Sequence, residues 1–160
     1  MNRLGRIVAL SISRKKGTAK RNVNSVYLLE DWGMEGDAHA GKWHRQVSLL
    51  ALESIQKMTA KGLIVRPGAF AENITTSGID IYNLTIGEHL QIGDCLLEIT
   101  QIGKECHNRC AIYQRVGDCV MPREGVFARV IRGGKIQRGE KIHVLPATLQ
   151  RIPNSEKETA

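Results

Sequence analysis

Aromatic residues are scarce in this chain: two Trp, three Tyr and two Phe among 160 residues. A core with so few large rings must be built mainly from Ile, Leu and Val, which favours compact β structure. Long hydrophobic runs are missing too. The apolar run from Ile7 to Ile12 is too short for a membrane span and lacks a cleavage-site pattern. Four cysteines in a chain of this size do not make a disulfide scaffold. A cytoplasmic protein with reduced thiols and no membrane association is therefore expected. Thioredoxin-like Cys-x-x-Cys spacing is also missing, since three residues separate Cys106 from Cys110, and Cys-His-x-x-Cys reverses the haem-attachment order.

What the chain has in excess is positive charge, a formal +7. That suits anionic partners such as phosphates, nucleic acid or an oxyanion cofactor, and it also serves plain solubility. Length and an ordinary apolar content fit one domain with a real core, here residues 1–146, followed by a polar tail over 147–160.

Glycine turns punctuate a series of short strands. Arg6 to Ser13 reads as a buried first strand and Val23 to Leu29 as a second. Between them, Arg14 to Arg21 carries five cations and no acid, and reads as an exposed loop. Val47 to Lys61 shows helical spacing, with Ser48 as a cap near its start and Gly62 after its end. Glu72 and Asn73 either close a pocket or satisfy backbone groups. Ile86 to Asp94 and Ile131 to Glu140 echo each other as glycine-led turns before the strands Cys95 to Ile102 and Lys141 to Leu145. Gly125 to Arg132 alternates cleanly and is expected to form a hairpin with the strand after Gly133 and Gly134. The fold class expected is mainly β with a few helices, as a small barrel or sandwich.

Two passages carry chemistry. Asp31 to Gln46 places Asp37, His39, Lys42, His44, Arg45 and Gln46 among Gly33, Gly36 and Gly41. Long polar loops of this kind more often serve function than simple connection; solvated side chains under a Trp lid are the plainer reading. The second passage, Gly103 to Cys110, holds Lys104, Cys106, His107, Arg109 and Cys110 at the end of a strand. Cations beside a thiol favour thiolate, and one or two helical turns over Cys110 to Val116 would add the field of a helix N-terminus. Such a thiolate can be a nucleophile, a persulfide carrier or a metal ligand. Zinc held by Cys106, His107, Cys110 and Cys119 is an alternative, although a second ribbon-type cysteine pair is missing. Cys95, inside a strand, fits a small buried hydrophobe.

These passages resemble the MOSC domain family, the C-terminal module of molybdenum-cofactor sulfurases, in its small stand-alone bacterial form. The matching stretches are Gly36 to Leu50, Pro67 to Thr76, Thr100 to His107 and Met121 to Val130. The resemblance runs from about residue 5 to about residue 144. It implies a strongly bent β-barrel-like domain and a cysteine, matched here by Cys106, that either carries sulfur or ligates the molybdenum of a pterin cofactor (molybdopterin). On that footing His39, Lys42, His44, Arg45, Lys104 and Arg109 would bind phosphate and oxo groups, and Asn73 would be a hydrogen-bonding pocket residue. His107 and Cys110 would be helpers of Cys106. The polar loop would face Cys106 across a barrel mouth.

The function expected is molybdenum-cofactor binding, sulfur carriage through Cys106, or both, with the cofactor itself or a sulfur-donor protein as partner. Pyridoxal phosphate is not expected on this chain alone. Exposed strand edges allow a homodimer. The rival reading is a non-enzymatic basic barrel that docks nucleic acid or a protein. Nucleic acid is the weaker of these two, because aromatics suited to base stacking are scarce.

Overall fold

A computed structural model of the chain describes residues 3–104 and 119–147. The strands are β1 (Leu4–Ile12), β2 (Arg21–Val23), β3 (Ser25–Leu29), β4 (Gly33–Met34), β5 (Val47–Ala51), β6 (Ile74–Ser77), β7 (His89–Ile92), β8 (Cys95–Ile102), β9 (Val126–Arg132), β10 (Gly134–Gln137) and β11 (Lys141–Leu145). Helix α1 spans Leu52–Thr59 and a short helical turn, α2, spans Met121–Glu124.

Seven strands close into a barrel in the order β11-β7-β8-β9-β5-β6-β1, the ring being completed by β1 against β11. Strand β2 continues beyond β1, and β10-β3-β4 forms a separate small sheet. Closure needs a strand long enough to touch several partners. β1 meets β11 at Leu4 to Arg6, β6 at Arg6 to Leu10, and β2 at Leu10 to Ile12. As the composition implies, the main core is aliphatic, with Ile7, Leu49, Ile74, Leu90, Leu97, Val126 and Ile142 at 0–1% exposure. A second cluster lies outside the barrel wall, where Leu50 and Phe127 meet Ile55 and Met58 of α1.

Several expectations need correction. The stretch from Val47 to Lys61 is not one helix: Val47–Ala51 is strand, and the helix begins only at Leu52. All five residues of β5 are buried because sheet neighbours flank it and both of its faces are covered, so no alternation survives in its sequence. The helix is therefore capped at Ala51 and not at Ser48. The expected hairpin of Gly125 to Arg132 with its successor also fails. β9 runs between β8 and β5, whereas β10 pairs with β3. Gly133 presses on the backbone so closely that a Cβ there would lie 2.4 Å from the Leu28 carbonyl oxygen, and Gly134 takes φ +148. That passage lifts the chain out of the barrel. Finally, Val23 to Leu29 is split at Asn24 between barrel and small sheet, and Lys20, expected in an exposed loop, is buried.

The segment before β6 is organised from within. The buried Glu72 carboxylate accepts hydrogen bonds from Gly68 N–H (2.8 Å), Phe70 N–H (3.1 Å) and the Thr75 hydroxyl (2.9 Å). Burial pushes its pKa up, against those same bonds. Asn73 is a strut between strands: its Oδ1 accepts from Ser48 N–H (3.0 Å) and its Nδ2 donates to the Ser11 carbonyl (3.1 Å). Asn73→Ala leaves both of these buried backbone groups without their partner. It should lower the unfolding free energy by about 2 kcal/mol, readable as a shifted urea midpoint with unchanged slope.

Candidate functional site

A cleft of about 300 Å³ lies beside the second cluster. Ser48 of β5 and Phe127 of β9 are directly paired across the wall and both line it. Their chain neighbours Val47, Leu49, Val126 and Ala128 belong to the core inside the barrel. By the two-residue alternation of strands, Ser48 and Phe127 point outward. The cleft is thus built on the outer wall; the expected facing of the polar loop and Cys106 across a barrel mouth lies outside the described residues.

Besides Ser48, its polar lining comes from four basic side chains: Lys16 in the loop after β1, His39 and Arg45 in the loop before β5, and Lys104 after β8. Trp43, Met121 and Phe127 supply apolar wall, and Ala71, at φ +64, lines it just before β6. No acidic side chain is among the described lining residues. Arg45 is held between rings, its guanidinium carbon 4.7 Å from the Trp43 ring centre and 5.6 Å from that of Phe127. Lys16 also lies over Trp43, at 5.3 Å. Stacking of this kind fixes a cation's plane without neutralising it. Arg45 Nε is buried with no hydrogen-bond partner among the described residues.

Lys104 is delivered by a tight approach. Gly103 takes φ +75 with its N–H on the Gly125 carbonyl at 2.6 Å, and Lys104 N–H bonds the Pro122 carbonyl at 3.1 Å. A Cβ at Gly103 would sit 2.5 Å from the Pro122 oxygen, so only glycine fits this junction.

His39 is backed by a buried ion pair. Lys20 Nζ lies 2.8 Å from Asp37 Oδ1, both side chains are fully buried, and the same Nζ reaches His39 Nδ1 at 2.9 Å. Burial works against ionisation of Asp37. The hydrogen bond from Lys20, the N–H groups of Ser13 and His39, and the Lys20 charge outweigh it, and the carboxyl stays below its ordinary range. Burial first, then the Lys20 charge, lowers the His39 pKa to about 4; Asp37 opposes this, and Lys104 and Lys16 add to it. Nothing in the sequence singled out Lys20, because its loop neighbours from Arg14 to Ala19 are exposed. Only the fold turns its side chain inward.

Of the residues expected at the site, His39, Arg45 and Lys104 therefore come together. His44 does not line the cleft. It bonds Gln101 Oε1 at 2.7 Å, and Gln101 in turn donates to the Gly103 carbonyl, which ties the polar loop to the end of β8. Lys42 is exposed and away from the lining. Asn73 stands one layer behind it, bonded to Ser48 and Ser11 as above. Cys106, His107, Arg109, Cys110 and the expected helical turns over Cys110 to Val116 lie outside the described residues. Cys95 is a buried strand residue whose thiol pKa is pushed up by burial and by Glu140 and Asp94, with Arg132 opposing. Among the described residues no group of three His, Cys, Asp or Glu side chains forms a metal-binding set. No helix among them is long and apolar enough to cross a membrane.

A closed seven-strand barrel with a cleft on its outer wall lined by Lys16, Arg45 and Lys104 defines the class as a β-barrel protein with a cationic cleft. The MOSC domain family model matches residues 36–143, and the chain belongs to the MOSC domain family. That family is associated with molybdenum-cofactor binding. No curated protein matches the chain in sequence. Among solved structures, the YuaD protein from Bacillus subtilis is similar with TM-score 0.75 and 17% identity, covering 90% of this chain and 97% of that one. YiiM from Geobacillus stearothermophilus is similar with TM-score 0.66 and 18% identity over 89% of this chain and 75% of that one. YiiM from Escherichia coli is similar with TM-score 0.63 and 20% identity over 88% and 70%.

Proposed function

We propose that the cleft receives the anionic groups of a molybdopterin-type cofactor and that Cys106 supplies a thiolate to it. The observation that carries this reading is the position of Lys104. It lines a cleft with three cations, no described acid and an Arg45 Nε that lacks a partner among the described residues. Cys106 follows two residues later.

The residues present fit such a group. Arg45 offers a planar, ring-stacked fork for phosphate or oxo oxygens. Lys16 and Lys104 add point charges, His39 adds a hydrogen-bond donor, and Trp43 and Phe127 give an apolar flank. When bound, the cofactor would supply oxygen-atom or sulfur chemistry. This chain's part is to bind the anion, orient it through Arg45, and hold a thiolate near Lys104, whose charge favours the ionised form. The thiolate serves either as ligand to the metal or as carrier of sulfur from a donor protein.

Co-expression with an active molybdenum-cofactor pathway, followed by metal and pterin analysis, separates these roles. Stoichiometric molybdenum and pterin in the wild type and their loss in Cys106→Ala would establish ligation. Absence of molybdenum with a cyanide-releasable sulfur, lost in the same variant, would establish carriage. If neither appears, the proposal is wrong.

A further inference from the structure

We infer that Lys20 is a positioning residue that holds His39 as the neutral Nε2–H tautomer, so that His39 meets an anionic oxygen in the cleft as an uncharged hydrogen-bond donor. This rests on the reading of the cleft as an anion site, but the tautomer itself follows from hydrogen-bond bookkeeping around one ammonium group.

Lys20 Nζ has three neighbours within hydrogen-bond reach: Asp37 Oδ1 at 2.8 Å, His39 Nδ1 at 2.9 Å and Ser13 Oγ at 3.1 Å. An ammonium has three N–H donors and no lone pair, so all three neighbours must accept. Ser13 can, because its hydroxyl hydrogen goes to the Lys15 carbonyl at 3.0 Å. Asp37 can, since its carboxylate only accepts; it also takes Ser13 N–H on Oδ1 at 3.0 Å and His39 N–H on Oδ2 at 3.1 Å. His39 Nδ1 must then present its lone pair. A proton there would point at another N–H from less than 3 Å. The single ring proton is left on Nε2, on the edge that Lys20 does not occupy, and His39 is a lining residue of the cleft.

The frame around this network is rigid. Lys20 N–H bonds the Gly68 carbonyl at 2.9 Å, and a Cβ on Gly68 would come within 2.6 Å of the Lys20 carbonyl oxygen. Trp43 Nε1–H holds the His39 carbonyl at 2.8 Å. Among the described residues, burial and the charges of Lys20, Lys104 and Lys16 act against protonation of His39, and Asp37 favours it. Protonation of the ring is accordingly displaced to about pH 4. The consequence is a donor whose charge does not change between about pH 5 and 8, where a free histidine titrates. Among the described lining residues, the positive charge of the cleft comes from Lys16, Arg45 and Lys104.

Nitrogen-15 NMR of the full apo chain reads the tautomer directly. In the wild type, His39 should show a protonated Nε2, an unprotonated Nδ1 and no titration between about pH 5 and 8. In Lys20→Met the cation is gone while Asp37 Oδ2 stays 3.8 Å from Nδ1. The ring should then bind a proton, its midpoint rising by ~2 units or more. Lys20→Arg, which keeps a buried cationic donor, should restore the wild-type pattern. Sulfate, a dianion throughout this range, serves as the binding probe. It should shift the wild-type His39 Nε2–H signal with an affinity that varies little with pH, and bind Lys20→Met about tenfold tighter at the acid end than at the alkaline end. A wild-type Nδ1–H tautomer, or a midpoint near 6.5, overturns the inference even where Lys20→Met fails to fold. The expected tautomer without any sulfate shift at Nε2 overturns the donor role. Cofactor content in Cys106→Ala is a separate readout, so failure here is distinguishable from failure of the cofactor reading.

Discussion

Asp37→Ala should destabilise the protein by about 3–5 kcal/mol at neutral pH, because it strands the buried Lys20 ammonium without its counter-ion. Both side chains of the pair are fully buried, so solvent cannot replace the lost partner. The loss also removes the acceptor for Ser13 N–H and His39 N–H, which closes the turn from Asp37 to His39 against the end of β1. Chemical denaturation of the wild type and variant across pH tests this further. The folded-state pKa of Asp37 lies below its ordinary 3.8. Its contribution is therefore fully present above the unfolded value, about 3.9, and is lost as pH falls through the lower folded value. The gap between the two proteins should stay level from pH 8 down to about 5 and narrow only below about 4. A gap that closes between pH 8 and 6 would mean another group is responsible.

Arg45→Ala should weaken sulfate binding in the cleft by about tenfold to a hundredfold, the worth of one charged hydrogen-bonding contact at roughly 1.5–3 kcal/mol. Arg45 is the cation whose orientation the fold controls most closely, through Trp43 on one side and Phe127 on the other. Arg45→Lys keeps the charge but loses the planar fork, and should recover only part of the affinity. Isothermal titration with sulfate reads both variants. Equal affinity in the wild type and Arg45→Ala would show that the anion binds elsewhere. Lys42→Ala, which alters an exposed cation away from the lining, should leave the affinity unchanged.

Much of this is legible in the sequence. The scarcity of rings and the glycine-punctuated strands point to an aliphatic β barrel or sandwich, because turn chemistry and residue volume are local properties; the resemblance to the MOSC family is what selects the barrel. The polar loop from Asp31 to Gln46 is visible as a functional passage, and His39 and Arg45 in that loop, with Lys104 in the Gly103 to Cys110 passage, are among the expected site residues. Strand β5 carries a helix-like pattern in the sequence because a strand covered on both faces loses the alternation that identifies it. The partner of β10 was misjudged because pairing depends on where the Gly133–Gly134 passage can approach Leu28, and that approach exists only in three dimensions.

Lys104 is the instructive contrast with Lys20. The sequence by itself places Lys104 two residues before Cys106 and puts cations around a thiol, since covalent connectivity sets that neighbourhood. It could not distinguish Lys20 from Lys15 or Lys16, three lysines of one basic loop with the same local chemistry. Tertiary structure separated them: Lys16 lies over Trp43 at the cleft, whereas Lys20 is sealed behind His39 by Asp37, a residue 17 positions away. Whether a charge is solvated, presented to a ligand or buried as an ion pair depends on what long-range packing puts beside it. Local sequence carries no record of that environment, and only the closed barrel with its loops in place decided it.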